Sequence, residues 1–220
     1  MSTQVQILGP QFSTMVRTVM LCCEEKGITY QIGMQIDGND IQFKESSHLS
    51  LHPFGKIPVL VHGENKVFET APICRYIDAS FDGSVLQPTD TYERAIVDQW
   101  SQAISCYVDQ ALVRQYLLEF AFPKGDNGSI RLDKVADAQP DVMSMLVQLE
   151  KQLADQAFIC GTQYSIADAL LTPILDYLAS LPHADSLFTS GSLLLAYVAR
   201  MRERPSGKAV LIPADKSHGK

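Results

Sequence analysis

Residues 5–27 read VQILGPQFSTMVRTVMLCCEEKG, and the change of period inside them decides the fold. Val5-Gln6-Ile7-Leu8 is a short apolar strand, closed by Gly9-Pro10. From Ser13 to Lys26 the pattern turns helical: Val16, Val19, Met20 and Cys23 share one face, and Gly27 is a C-terminal stop. Tyr30 to Ile36 returns to strand period. A polar stretch with room for a short helix near Ile41–Ser50 comes next. Ile57-Pro58-Val59-Leu60-Val61 and Val67-Phe68 then flank a turn at Gly63-Glu64-Asn65, a hairpin signal, and a helix is expected from Thr70 to Ser80. The order βαβ then ββα predicts an α/β domain with a mixed sheet, parallel at its first crossover.

After Phe81-Asp82-Gly83-Ser84, with Pro88 close behind, strand signals stop. Beyond this linker everything is helical. Tyr92 to Phe120 forms one long helix or two, ended by Pro123-Lys124-Gly125-Asp126-Asn127-Gly128. Val142, Met145, Leu146, Leu149 and Leu153 make an amphipathic stripe. Ile166 to Leu178 is apolar nearly all round, as a buried central helix is. Ser192 to Glu203 is the last firm helix, and the tail to Lys220 is expected to be irregular. The expected organisation is an α/β domain over 1–81, a linker over 82–90 and an all-α domain over 91–220.

The 220 residues carry a formal net charge of −7, which disfavours a nucleic-acid or anionic-membrane surface. The most continuous apolar run, Leu193 to Ala199, is too short for a bilayer span, and the start lacks a secretory pattern. A cytoplasmic protein is expected. Cys22, Cys23, Cys74, Cys106 and Cys160 form no C-x-x-C pair and no zinc spacing, so they read as buried hydrophobes in a reducing compartment. His48, His52 and His62 lack a third ligand at helical or turn spacing, and no metal is expected.

Four local patterns occur in order: Gly9-Pro10-Gln11-Phe12-Ser13-Thr14-Met15-Val16-Arg17 before Cys23-Glu24-Glu25-Lys26-Gly27; His52-Pro53-Phe54-Gly55-Lys56-Ile57-Pro58-Val59-Leu60; Phe68-Glu69-Thr70-Ala71-Pro72-Ile73; and Ile159-Cys160-Gly161 before Ser165-Ile166-Ala167-Asp168-Ala169. Over nearly the whole chain they resemble the cytosolic glutathione transferases, and the first is most similar to the serine-type phi class. One departure is Phe43-Lys44, where phi-class proteins often carry a histidine before the lysine. The resemblance implies a thioredoxin-like glutathione-binding domain followed by an all-helical one, with glutathione as co-substrate and no metal. It implies Ser13 as the catalytic residue, with Thr14 as the other hydroxyl in reach. It makes the Ile57–Pro58 bond cis and gives the main chain of Ile57 the cysteinyl part of glutathione. Glu69 takes the γ-glutamyl ammonium, Thr70 its carboxylate, and Lys44 and Lys56 the glycyl carboxylate. Phe12, Tyr107 and Tyr116 are candidate contacts for small hydrophobic electrophiles. A homodimer is implied, touching around Val67–Ile73 and Tyr92–Trp100.

The residues themselves are compatible with this chemistry. Ser13 and Thr14 stand where a strand hands over to a helix, whose first N–H groups are unpaired and carry positive partial charge. Lowering a thiol pKa by two units takes about 2.7 kcal/mol of preferential thiolate stabilisation. One charge-assisted hydrogen bond from a hydroxyl supplies roughly 1.5–3 kcal/mol. Ser13 read alone is equally a helix cap. Proline at 58 removes a ladder donor, and sequence alone favours its trans form. Thr70 reads as an N-cap with Pro72 in the first turn, and Ser165-x-x-Asp168 as a capping box. Three functions are compatible with these residues: conjugation of the glutathione thiolate to hydrophobic electrophiles, another glutathione-dependent reaction (isomerase, peroxidase or dehalogenase), or a non-catalytic binding or regulatory relative.

Overall fold

The computed structural model describes residues 4–211 and divides into two compact units. One holds the described residues up to Gln87 and those from Arg202 on; the other is Pro88–Met201.

In the first unit, β1 (Val5–Leu8) leads into α1 (Thr14–Lys26), which ends at Gly27 in a left-handed conformation, and then into β2 (Tyr30–Gly33). The predicted strand Tyr30–Ile36 breaks in two. Past Gly33, Gln35–Ile36 (β3) leaves the sheet to pair with Asn39–Asp40 (β4). The buried Gln6 side chain fixes that ribbon, donating to Asp37 Oδ1 at 2.6 Å and accepting the Asp37 N–H at 2.8 Å. The short helix is α2 (Ser46–Leu49). The hairpin is β5 (Val59–His62) and β6 (Asn65–Phe68), and α3 (Thr70–Ser80) comes after it. Strand order is β2-β1-β5-β6, parallel between β1 and β2 and antiparallel elsewhere.

Alternation along the strands covers both faces of the sheet. Leu8, Val59 and Val61 gather with Leu51, and Met34, Ile36, Ile41 and Phe68 pack around them. The paired Ile7 and Leu60 take the other face, where α1 and α3 lie together. Buried Lys26 at the end of α1 donates to Asp78 of α3 at 3.1 Å, and Asp78 also accepts the Leu86 N–H at 2.9 Å. The carboxylate therefore holds the start of the expected linker against this unit.

In the second unit, α4 (Thr91–Ala103) begins at Asp90, whose carboxylate caps the Tyr92 and Glu93 N–H groups, each at 2.9 Å. The helix does not stay α. Ile104–Leu117 is wound as a π-helix, and α5 (Leu118–Ala121) closes it. The apolar stripe lies on α6 (Leu132–Leu153), and α7 (Ile166–Ala179) is buried along nearly its whole length. The next helix is α8 (Leu193–Glu203). The tail differs from expectation: Pro205–Val210 forms α9, with proline in its first turn. The rest of the predicted irregular tail, 212–220, lies outside the described residues.

Candidate active site

The register of the sheet assembles the site. Leu8 pairs with Val59, and Val59 with Phe68. Because β5 runs against both neighbours, the end of β1, the start of β5 and the end of β6 meet at one edge. The segments leaving that edge carry Ser13, Ile57-Pro58 and Glu69-Thr70. Gly9 lets them approach: a Cβ there would lie 2.5 Å from Val16 Cγ2 and 3.4 Å from Ile57 Cβ, and its φ of +147° suits glycine alone.

Ser13 is the N-cap of α1, with φ −67° and ψ 130°. Its Oγ accepts the Val16 N–H over a long 3.5 Å, and its own N–H donates to Pro10 O at 3.0 Å. A hydroxyl has one hydrogen and two lone pairs. The cap uses a lone pair, so the hydrogen is left to donate; capping and thiolate binding do not compete. Among the described residues the N–H groups of Thr14 and Met15 take no partner. Arg17 is buried beneath this turn, where its Nε donates to Gln11 O at 3.1 Å. Phe12 beside Ser13 is 48% exposed.

The Ile57–Pro58 bond is cis. Pro58 is buried, Ile57 is half-buried, and the Ile57 main-chain N–H and C=O take no partner among the described residues. At the third segment the structure moves the expected cap by one residue. Glu69 occupies the cap position of α3, without a side-chain cap bond, and the buried Thr70 is the first helical residue. Glu69 has φ +69° and ψ 126°. Such a conformation costs a non-glycine residue about 1–3 kcal/mol and persists where the surroundings fix it. It leaves the Glu69 side chain exposed at the sheet edge.

Lys44 and Lys56, both exposed, are linked through a residue that sequence reading weighed only as a metal ligand. His48 is fully buried, accepts the Lys44 N–H at Nδ1 (2.9 Å) and meets Lys56 O at Nε2 (2.9 Å). The signal that could have found it is modest: a lone histidine four residues after one candidate lysine and eight before the other. The other histidines are engaged elsewhere. His52 Nδ1 accepts the Phe54 N–H at 3.3 Å, with burial holding its pKa below the usual value, and His62 Nδ1 meets Tyr76 Oη at 2.9 Å. Among the described residues no group of three His, Cys, Asp or Glu is placed to hold a metal.

The two tyrosines expected to meet an electrophile differ. Tyr107 is 70% exposed on the π-helical segment. Tyr116 is 1% exposed, with its hydroxyl 2.8 Å from His183 Nε2 and its ring against Phe120. It belongs to the interior of the helical unit and offers no surface to a ligand. The alternation of exposure along a helix decides this, and aromatic spacing alone did not.

With this geometry in hand, comparison with known proteins is consistent. A model described as "Glutathione S-transferase, N-terminal domain" matches residues 5–79, and "Glutathione S-transferase, C-terminal domain" matches 104–205. The chain is 29% identical over 218 residues to the probable glutathione S-transferase GSTF1 of Oryza sativa subsp. japonica, covering 96% of this chain and 98% of that protein. It is 32% identical over 178 residues to glutathione S-transferase U7 of Arabidopsis thaliana, covering 80% and 71%. The crystal structure of poplar glutathione transferase F1 superposes with a TM-score of 0.81 at 25% identity, covering 96% of this chain and 97% of the poplar chain.

Proposed function

This chain belongs to the glutathione S-transferase family, and from that premise we propose that it transfers the glutathione thiolate to small hydrophobic electrophiles, with Ser13 as the hydrogen-bond donor to the sulfur. The observation that carries the proposal is the state of Ser13: half-buried at the start of α1, its lone pair used by Val16 and its hydrogen left over, beside two unpaired backbone N–H groups. An anion there gains one charge-assisted bond and the favourable end of the helix dipole, together about 2–4 kcal/mol. That range spans the ~2.7 kcal/mol needed to ionise the thiol near neutral pH. The unpaired main chain of Ile57 suits the cysteinyl part of the tripeptide, as a peptide pairs with a strand edge. The exposed Glu69 carboxylate suits the γ-glutamyl ammonium, and Thr70 at the start of α3 suits its carboxylate. Lys44 and Lys56 provide positive charge for the glycyl carboxylate. Phe12, 48% exposed beside Ser13, offers apolar surface to the acceptor.

The test combines a chloro-dinitrobenzene conjugation assay with a thiolate absorbance titration of the glutathione complex. Ser13→Ala should move the midpoint up by one to two units, about 1.4–2.7 kcal/mol, and turnover at neutral pH should fall roughly ten- to a hundredfold. Turnover of the variant then recovers as pH rises, because the bound thiol ionises later. Thr14→Ala should leave the midpoint in place; if it shifts the midpoint and Ser13→Ala does not, Thr14 is the donor.

The protein is further proposed to work as a homodimer joined through the Val67–Ile73 and Tyr92–Trp100 regions, in the reducing cytoplasm that suits its five free cysteines. Tyr92, 74% exposed, supplies apolar area for such a contact, whereas Ile73 faces the interior. Sedimentation at micromolar concentration measures the assembly directly; a monomer would end this part of the reading.

A further inference from the structure

We propose that His48 is a positioning residue for glutathione: it staples the Lys44 and Lys56 main chains together, so that both lysines face the glycyl carboxylate and a free two-residue ligand is told apart from the tripeptide. The inference rests on the reading of Lys44 and Lys56 given above. The roles of the two backbone groups leave no freedom in the imidazole. The Lys44 N–H can only donate, so Nδ1 carries the lone pair; Lys56 O can only accept, so Nε2 carries the hydrogen. Only this neutral tautomer closes both bonds.

Four observations support a role beyond filling space. His48 is the one buried side chain between Gln42 and Ser50, where all its neighbours are exposed. Lys44 has φ +65°, a conformation that its side chain disfavours and that its N–H bond to His48 retains. Its stem also crosses the second loop: a Cβ on Gly55 would lie 3.4 Å from Lys44 Cγ, so the aliphatic chain of one lysine rests beside the residue preceding the other. The ring of Phe43, which stands where the histidine of phi-class relatives often does, stacks on His48 with centroids 5.1 Å apart. Without His48 the Lys44 N–H and Lys56 C=O lose their partner and the Lys44 turn loses what fixes it. Lys44 and Lys56 are assigned to the glycyl end, so the effect belongs to binding of that end of the ligand.

The experiment measures binding of glutathione and of γ-glutamylcysteine, which lacks the glycyl residue, to the full chain by calorimetry, alongside KM and kcat for conjugation. In His48→Leu, glutathione binding should weaken about tenfold while γ-glutamylcysteine binding changes less than about twofold, and the kinetic loss should appear in KM. Lys44→Ala/Lys56→Ala should give the same pattern, and adding His48→Leu to it should cost nothing more. His48→Asn, whose Oδ1 can replace Nδ1 as acceptor for the Lys44 N–H, should recover most of the loss, and it serves as the test should the leucine variant not fold. Equal weakening of both ligands would overturn the proposal and make His48 a packing residue. A wild-type protein that binds both ligands equally would overturn it through the lysine assignment, leaving conjugation intact. Absence of any glutathione binding would instead remove the proposed function itself.

Discussion

Thiolate chemistry needs a low pKa, and this protein moves three of its own thiols the other way. Cys22 is held well above the usual thiol value by its hydrogen bond with Cys74 and by burial; burial raises Cys23 as well, and pushes Cys160 up to about 12. None of these sulfurs competes at neutral pH with a glutathione sulfur placed at the start of α1. Cys22→Ala and Cys23→Ala should therefore each lower stability by about 1–2 kcal/mol as core truncations while leaving the thiolate midpoint of the glutathione complex unchanged. Thermal melts and the absorbance titration separate the two effects, and a shifted midpoint in a folded variant would make a cysteine part of the chemistry. At this scale legibility follows chain position. Ser13, Ile57 and Glu69 were legible as candidates because each stands where one period gives way to another. His48 was not, because its role comes from two backbone groups that a turn brings to it. Spacing along a helix does not say which side faces the interior, and Tyr116 lies there.

Elements were legible where the side-chain pattern and the backbone demand agreed. β1 and α3 occupy the predicted spans, while the hairpin strands shift: the first runs Val59–His62 in place of 57–61, and the second begins at Asn65 in place of Val67. The break between β2 and β3 was hidden, since Gln6–Asp37 is a contact across 31 positions. The π-helical winding of Ile104–Leu117 was hidden too: apolar residues recur there much as in an α-helix, and the segment packs against α6 and α7 as an α-helix would. The capping box before α7 was the most legible polar feature, and its structural use is wider than its signature. Asp168 accepts the Ser165 N–H at 2.9 Å, the Ser165 hydroxyl at 2.8 Å, the Ile159 N–H at 2.9 Å and the Tyr197 hydroxyl at 2.9 Å, all buried. One carboxylate joins the start of α7 to the preceding loop and to α8. Asp168→Ala leaves those donors without an acceptor and should cost about 3 kcal/mol or more, at ~1–3 kcal/mol for each buried group left unpaired. Chemical denaturation measures the loss, and activity per folded molecule should stay within about twofold. A stability change under ~0.5 kcal/mol would mean that water or another group replaces the carboxylate.

For the whole molecule, the sequence places a boundary near Pro88 and treats the remainder of the chain as one helical domain, yet the described residues from Arg202 on pack with the first unit. Beside apolar packing of α9 on α1, a single carboxylate on α1 makes the polar contacts. Glu25 accepts Arg204 Nε at 2.9 Å and Nη2 at 2.7 Å and also takes the Ser206 hydroxyl, so the helix that ends the described chain, α9, is anchored on α1. Nothing local marks this, because the partners are separated by 179 and 181 positions. It matters for function because α1 is also the helix whose first turn is the proposed thiolate site, so the last segment of the chain bears on the site through the stability of one helix. The glutamate side chain is nearly buried and the arginine about a quarter exposed (9% and 28%), and a pair that open to water is worth less than a fully buried one. Arg204→Ala should accordingly cost about 1–2 kcal/mol, and Glu25→Ala more, since it also strands Ser206. Ending the chain at Glu203 removes α9 entirely and should lower the melting temperature further and reduce glutathione-affinity retention with it, as the apolar face of α1 left behind meets water. If the truncated protein instead melts as the full chain does, α9 is only resting on α1 and the site owes it nothing.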